Sequence, residues 1–395
     1  MRRTLLYVVA VLVIGAFASA AWLTDGYYEP YLFASHVTAG DGESRLERST
    51  TAPSRQAVHY TIEGRSGRAD LYLPGEGMPQ GAIVLVPGAV PEGKDDERLV
   101  KFAEGLARLR FAVLTPDLSD YRELEIRTRQ VTEVADAFRY LVSRQDLSHS
   151  GRTGIGAFSF GAGPAILATL EEGLRERVRF IFAVGAYYDL RRTIRYFTTG
   201  YFEADGKSQY LEPSDYARLV FAYTALDHVH DLDDRAALKA MLDAKVQSAT
   251  ADISGLASGL EPEGQSVYRL LTNTDPDVAS ELIASLPQET RTLIDALTLV
   301  DKGLGGFPAR LILVHGKNDP LIPYPETIAL SRAVAPAEAR VFVIERLLAH
   351  VDLTFTDVLT ATFWTQDVPD AKRVLDALAA LLDEREAGGE PPARR

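Results

Sequence analysis

The sequence predicts an α/β fold: a mostly parallel central sheet with helices on both faces and an inserted helical lid. Three observations carry this. Short apolar, β-branched runs alternate with helix-period segments from about residue 57 to 184 and again from about 310 to 382, and such alternation implies a parallel sheet covered on both sides. Between about Leu190 and Gly306 the alternation stops and helical patterns take over; a structureless loop of that length inside a domain is improbable. At Arg152–Pro164, RTGIGAFSFGAGP joins a buried-strand pattern to small residues that open a helix, with Ser159 at the joint.

The totals bound the answer. The 395 residues are 46% hydrophobic, enough for a large core. A formal net charge of −13 argues against nucleic acid as a partner, because its phosphates would be repelled. Cysteine is absent, which removes disulfides, thiolate metal sites and a cysteine nucleophile together. No cofactor is called for.

At the N-terminus, Arg2 and Arg3 precede an uncharged run from Leu5 to Leu23. At about 1.5 Å per residue it just spans a hydrocarbon layer of roughly 30 Å. It predicts a membrane anchor over 1–23, with Trp22 at the interface, making the membrane a partner and the chain a single-pass cell-membrane protein whose main domain is extracytoplasmic. The alternative is a signal peptide cut after Ala18-Ser19-Ala20, which leaves the chain secreted or periplasmic. Residues 24–55 read as a polar linker.

The core then begins. Ala57 to Glu63 and Arg68 to Pro74 read as a strand pair around Gly64-Arg65-Ser66-Gly67, a turn-like sequence. Ala82 to Val86 is a strand, followed by the loop Pro87-Gly88-Ala89 and a helix from about Asp95 to Leu109. Phe111 to Leu114 is a strand, and Ile126 to Val142 a helix with Val131, Val134, Ala135, Phe138 and Leu141 on one face. After the Ser159 strand and its helix comes a strand at Phe180 to Val184, closing the first part of the core (56–189). The lid (190–306) carries helical patterns at 213–228, 234–247, 276–285 and 290–300. The second part (307–383) holds strands at Arg310 to Val314 and Arg340 to Ile344, with helices at Pro325 to Val334 and Ala371 to Leu382. The charged tail 384–395 reads as disordered.

Ser159 sits in A-x-S-x-G, with Ala157 at the position where a nucleophile elbow usually has glycine. A hydroxyl needs a base to take its proton, and the base needs a third group to orient it. Asp319 follows the strand RLILV in the loop HGKNDPLIP, and His350 follows the last strand in ERLLAHVDL. Both would lie at strand carboxyl ends, where such sheets carry their chemistry. An oxyanion would be held by the backbone N–H of Phe160, directly after the serine, and by one from the loop after Val86, at Ala89.

Each residue also has a plainer reading. Ser159 would serve as a helix N-cap, Asp319 as a turn residue before Pro320, and His350 as a solvent-facing loop histidine. Asp189, just past the strand ending at Val184, is a rival acid.

The pieces LVPGAV, AFSFG, LVHGKNDPLIP and LAHVD, in the order serine, aspartate, histidine, resemble the α/β-hydrolase superfamily over about Ala57 to Leu382 with the lid set aside. The likeness is closest to the dienelactone-hydrolase and acyl-peptidase-like esterase branches. It implies the α/β-hydrolase fold and a serine hydrolase cleaving a carboxylic ester or related small-molecule acyl compound, with Ser159 as nucleophile, Asp319 as acid and His350 as base. Acyl transfer or peptide cleavage through the same triad, and a non-catalytic binding protein on the same fold, are the alternatives. Departures are Pro87, where the oxyanion loop commonly has histidine, Ala157, and the absence of the cysteine that dienelactone hydrolases proper use.

His228-Val229-His230-Asp231, with Asp233 and Asp234, raises a metal hypothesis, weighed against an acidic helix start in the lid. Residues i and i+2 do not share a helix face, and the plainer reading is preferred, with no metal expected. Gly303 to Gly306 precedes a strand and reads as the lid's return hinge. Tyr187 and Tyr188 would line an acyl pocket or pack in the core. His315 reads as structural, and His36, His59 and His149 as linker, strand or loop positions.

Overall fold

The computed structural model describes residues 26–39, 42–148, 151–248, 250–334, 338–350 and 367–385. Two short helices, α1 (Tyr28–Val37) and α2 (Arg45–Ser49), precede the sheet. Its edge is the antiparallel pair β1 (Ser54–Ile62) and β2 (Arg65–Leu73). The centre is built from runs buried along their whole length, β3 (Gly81–Val86), β4 (Phe111–Pro116) and β6 (Phe180–Val184), with β5 (Thr153–Phe158) and β9 (Arg310–Gly316) nearly so. With β10 (Ala339–Ile344) they give an eight-stranded sheet in the order β1-β2-β4-β3-β5-β6-β9-β10, parallel from β4 to β10. Helices α3 (Glu97–Arg108), α4 (Arg129–Ser143) and α5 (Ala162–Ala168) follow β3, β4 and β5. Between β6 and β9 lie α6 (Leu190–Thr199), a small hairpin β7–β8 (Tyr201–Ala204, Lys207–Tyr210), α7 (Asp215–Leu226), α8 (Leu232–Gln247), α9 (Pro262–Leu271), α10 (Ala279–Ala284) and α11 (Gln288–Leu297). The chain closes with α12 (Pro325–Ala333) and α13 (Val368–Leu382).

The sheet divides the interior into two apolar layers. One joins Val84, Ile155 and Ile181 to Val134 and Phe138 of α4, to Ala165 of α5 and to the lid. The other joins Leu85, Phe182 and Val314 to Phe33 of α1, Phe102 of α3 and Leu378 of α13. This is the two-sided covering that the alternation predicts.

Several boundaries differ from the sequence reading. The β1–β2 turn is Glu63-Gly64, with φ of 50° and 81°, and not the 64–67 stretch. Gly67 lies inside β2 opposite Tyr60, whose ring occupies the space a Cβ would take. The hairpin β7–β8 stands where only helices are predicted. The linker reading of 24–55 gives way to α1 and α2, which bury Phe33 and Leu46 completely. The tail's first residues, Glu384 and Arg385, are buried in a short 3₁₀ turn, with Arg385 Nη1 donating to the Leu109 carbonyl at 2.8 Å; 386–395 lie outside the described residues.

The membrane reading is corrected. Among the described residues no helix is long and apolar enough to cross a membrane, which counts against a transmembrane anchor, a membrane partner and a single-pass location. The run Leu5 to Leu23 on which that reading rests lies outside the described residues. The helix that follows, α1, has 10 residues, about 15 Å of rise, and spends its apolar side on α3 and α13 within the protein.

Candidate active site

Ser159 sits where β5 breaks into a 3₁₀ turn (Ser159–Gly161) that leads into α5. Its φ is +52°, a left-handed conformation that costs a non-glycine residue of the order of 1–3 kcal/mol. The turn is tight because α5 starts against the loop after β3: a Cβ on Gly161 would lie 2.3 Å from the Pro87 carbonyl oxygen. The second glycine of the elbow pattern is therefore a steric necessity. At the first position Ala157 is fully buried in β5 between Val86 and Ala183, and a methyl group fits there.

Asp319 and His350 meet beyond the ends of β9 and β10. His350 Nδ1 lies 2.5 Å from Asp319 Oδ2, which fixes the proton on Nδ1 and leaves Nε2 with its lone pair. That Nε2 is buried and has no hydrogen-bond partner among the described residues. Asp319 is fully buried, and its other oxygen accepts from the N–H groups of Leu321 (2.8 Å) and Ile322 (3.0 Å). His315 Nε2 stands 3.3 Å from Oδ2; the ring's Nδ1 meets Thr327 Oγ1 at 2.7 Å. Burial alone would raise the Asp319 pKa, but the attraction of His350 and the hydrogen bonds from His315 and His350 outweigh it and hold the carboxyl well below the usual range.

Two glycines that sequence reasoning passes over make the pairing possible. Gly185, φ +68°, follows β6, and a Cβ there would come within 3.0 Å of His350 Cε1 and 3.5 Å of Asp319 Oδ2. Gly316 ends β9 directly beneath the histidine loop, where a Cβ would lie 2.0 Å from the Ala349 carbonyl oxygen.

Ser159, His350 and Ala89 line one cavity of about 520 Å³. Phe160 is buried against Tyr187. The Ala89 carbonyl accepts from the Tyr216 hydroxyl at 2.7 Å, so a lid residue with no local sequence signal holds the loop after β3. The rival acid is elsewhere employed: Asp189 caps α6 through Arg191 N–H at 2.8 Å. Tyr187 is a core residue, its hydroxyl donating to the Leu297 carbonyl at 3.1 Å, and Tyr188 stacks under Arg192. Neither lines the cavity.

The histidine-aspartate stretch of the lid divides its groups. His228 pairs with Thr290, His230 with Glu263, Asp231 caps α8, and Asp234 accepts from the N–H groups of Glu261 and Gly264. Among the described residues no group of three or more His, Cys, Asp or Glu side chains could hold a metal ion. Gly303 and Gly306 have positive φ on the return to β9. His36 is buried in α1 against Ser44, and His149 lies outside the described residues.

Set against solved structures, the chain superposes on a Legionella pneumophila protein described as a candidate hydrolase with a TM-score of 0.53 at 14% identity, over 84% of this chain and 88% of that one. The chain has the α/β-hydrolase fold. Weaker likenesses include a thermophilic carboxylesterase from a metagenomic library (TM-score 0.44, 15% identity, 86% of this chain and 93% of that one). An acylaminoacyl peptidase also matches (0.48, 11%, 89% and 46%). Identities this low speak to the fold alone. No protein-family model matches the chain, and no curated protein does.

Proposed function

We propose that the chain is a serine hydrolase acting on a carboxylic ester or a related acyl compound. The observation that supports this most is the state of His350: its Nδ1 is held by Asp319, its buried Nε2 has no partner among the described residues, and it lines the same cavity as Ser159. A buried ring nitrogen without a partner is costly unless it has work to do. In this reading Nε2 takes the Ser159 proton as the hydroxyl attacks the acyl carbon. Asp319 keeps the ring in the required tautomer and stabilises the imidazolium. The N–H groups of Phe160 and Ala89 hold the oxyanion; one such donor contributes about 3 kcal/mol. The leaving group departs with the histidine proton, and water, activated by the same nitrogen, releases the acid.

Ser159→Ala should abolish cleavage of short p-nitrophenyl esters and labelling by a fluorophosphonate, with an unchanged circular-dichroism spectrum. Undiminished turnover would refute the assignment.

A further inference from the structure

The space around Ser159 is distributed unevenly between the two faces of the sheet. On the lid side, the hollow bounded by Phe160, Tyr187 and Phe197 holds only about 40 Å³. Tyr187 fills that side, its ring lying where a Cβ on Gly163 would be. On the other side, the cavity of about 520 Å³ passes the rim and enters the layer between the sheet and helices α1, α3 and α13. Phe182 and Val184 of β6 both line it. They point to one face two residues apart, so the cavity descends at least about 6–7 Å below the strand end. Its walls there are Phe102 of α3, Leu378 of α13 and Ala34 and Val37 of α1. The charged groups lining it, Glu92, Asp96 and Arg98, lie on the loop after β3 and the first turn of α3, with Arg98 and Asp96 paired at 2.9 Å.

Resting on the serine-hydrolase reading, we infer that the substrate's acyl group is an unbranched hydrocarbon chain long enough to reach at least about 6–7 Å below the strand end. The chain runs from Ser159 down the slot between the sheet and α1, α3 and α13. The hollow behind Phe160 and Tyr187 leaves no room for a tail on that face of the sheet, and the slot walls carry no charge to hold a polar one. The N-terminal helix α1 is thereby part of the specificity wall, and its small residue Ala34 leaves the slot open.

The test is a p-nitrophenyl ester series from acetate to dodecanoate on the full chain. The decanoate-to-acetate ratio of kcat/KM should be large, growing about fourfold per methylene along the slot. In Ala34→Trp, and separately in Val37→Trp in case one variant folds poorly, that ratio should fall at least 100-fold. A parent enzyme fastest on acetate, or folded variants that keep the parent ratio, overturns the slot. Loss of turnover on every ester, together with no fluorophosphonate labelling, would sink the hydrolase reading instead. The slot is then judged by titrating decanoate calorimetrically into Ser159→Ala: binding that Ala34→Trp removes upholds it, and no binding overturns it.

Discussion

The histidine loop rests on backbone, with Gly316 directly under the Ala349 carbonyl and no room for even a methyl group between them. Its partner Asp319 is fixed by the N–H groups of Leu321 and Ile322 and by two histidine rings. Across the cavity, the loop after β3 that carries Ala89 is held from outside the sheet, by the Tyr216 hydroxyl of α7. The proposed acid–base half of the site is thus built into the β-strand ends, while the proposed oxyanion half is shared with the lid. Damage to the first should be severe and insensitive to the lid; damage to the second should be mild and graded.

The largest effect is expected at Asp319. In Asp319→Asn the amide oxygen can keep the Leu321 and Ile322 bonds, but the amide N–H₂ would face His350 Nδ1 and favour the tautomer with its proton on Nε2. Turnover should fall about 10³–10⁴-fold. The change also has a pH signature. The Asp319 pKa is lower in the folded chain than the ordinary value of 3.8, so its contribution to stability is complete above about pH 5. It is lost as pH falls through the folded-state value. Urea denaturation should therefore show Asp319→Asn less stable than the parent at pH 7, with the gap narrowing below about pH 4. A gap independent of pH would mean that Asp319 is not held ionised by the two histidines.

Next comes Gly316→Ala. The added methyl would overlap the Ala349 carbonyl, so the histidine loop must lift. A displacement of about 1 Å at a catalytic group can cost about 10²-fold in rate, and overpacking of this kind costs about 1–3 kcal/mol in stability. Activity and fluorophosphonate labelling should drop together while the fold persists. Parent-like activity would show that the loop is positioned by something other than this contact, and the contrast between the two halves would fail.

Much of this was within reach of the sequence, because some signals are local. Ser159 is announced by its own flanks, a strand on one side and small residues on the other, and Asp319 and His350 each follow a recognisable strand. The rest depends on residues distant in the chain. Nothing near Gly316 says that Ala349 will lie against it, and nothing near Gly185 says that His350 will. Helix α1 hides because Tyr27, Tyr28 and Tyr31 read as linker residues; its place comes from docking on α3 and α13, with Phe33 edge-on to Phe102 at 4.8 Å. The β7–β8 hairpin did carry a legible mark, Asp205-Gly206 after the alternating exposed and buried residues of β7, obscured by the helices around it. Tyr216 is one of 17 tyrosines, and only the fold distinguishes it.

Tyr216→Phe is the mildest and most discriminating change. Burial, the largest influence on the Tyr216 hydroxyl, pushes its pKa up to about 12, so it remains a donor to the Ala89 carbonyl throughout the neutral range. Removing it deletes one hydrogen bond, a net effect of about 1 kcal/mol, and leaves the ring in place. If the bond serves only to anchor the lid, the melting temperature should move while kcat stays put. If it sets the position of the Ala89 N–H, kcat should fall about 3- to 10-fold with KM nearly constant, because an oxyanion donor acts in the transition state and not in the bound ester. The second outcome is expected, because the bond lands on the residue proposed to hold the oxyanion together with Phe160. A change confined to stability would return the whole site to the sheet.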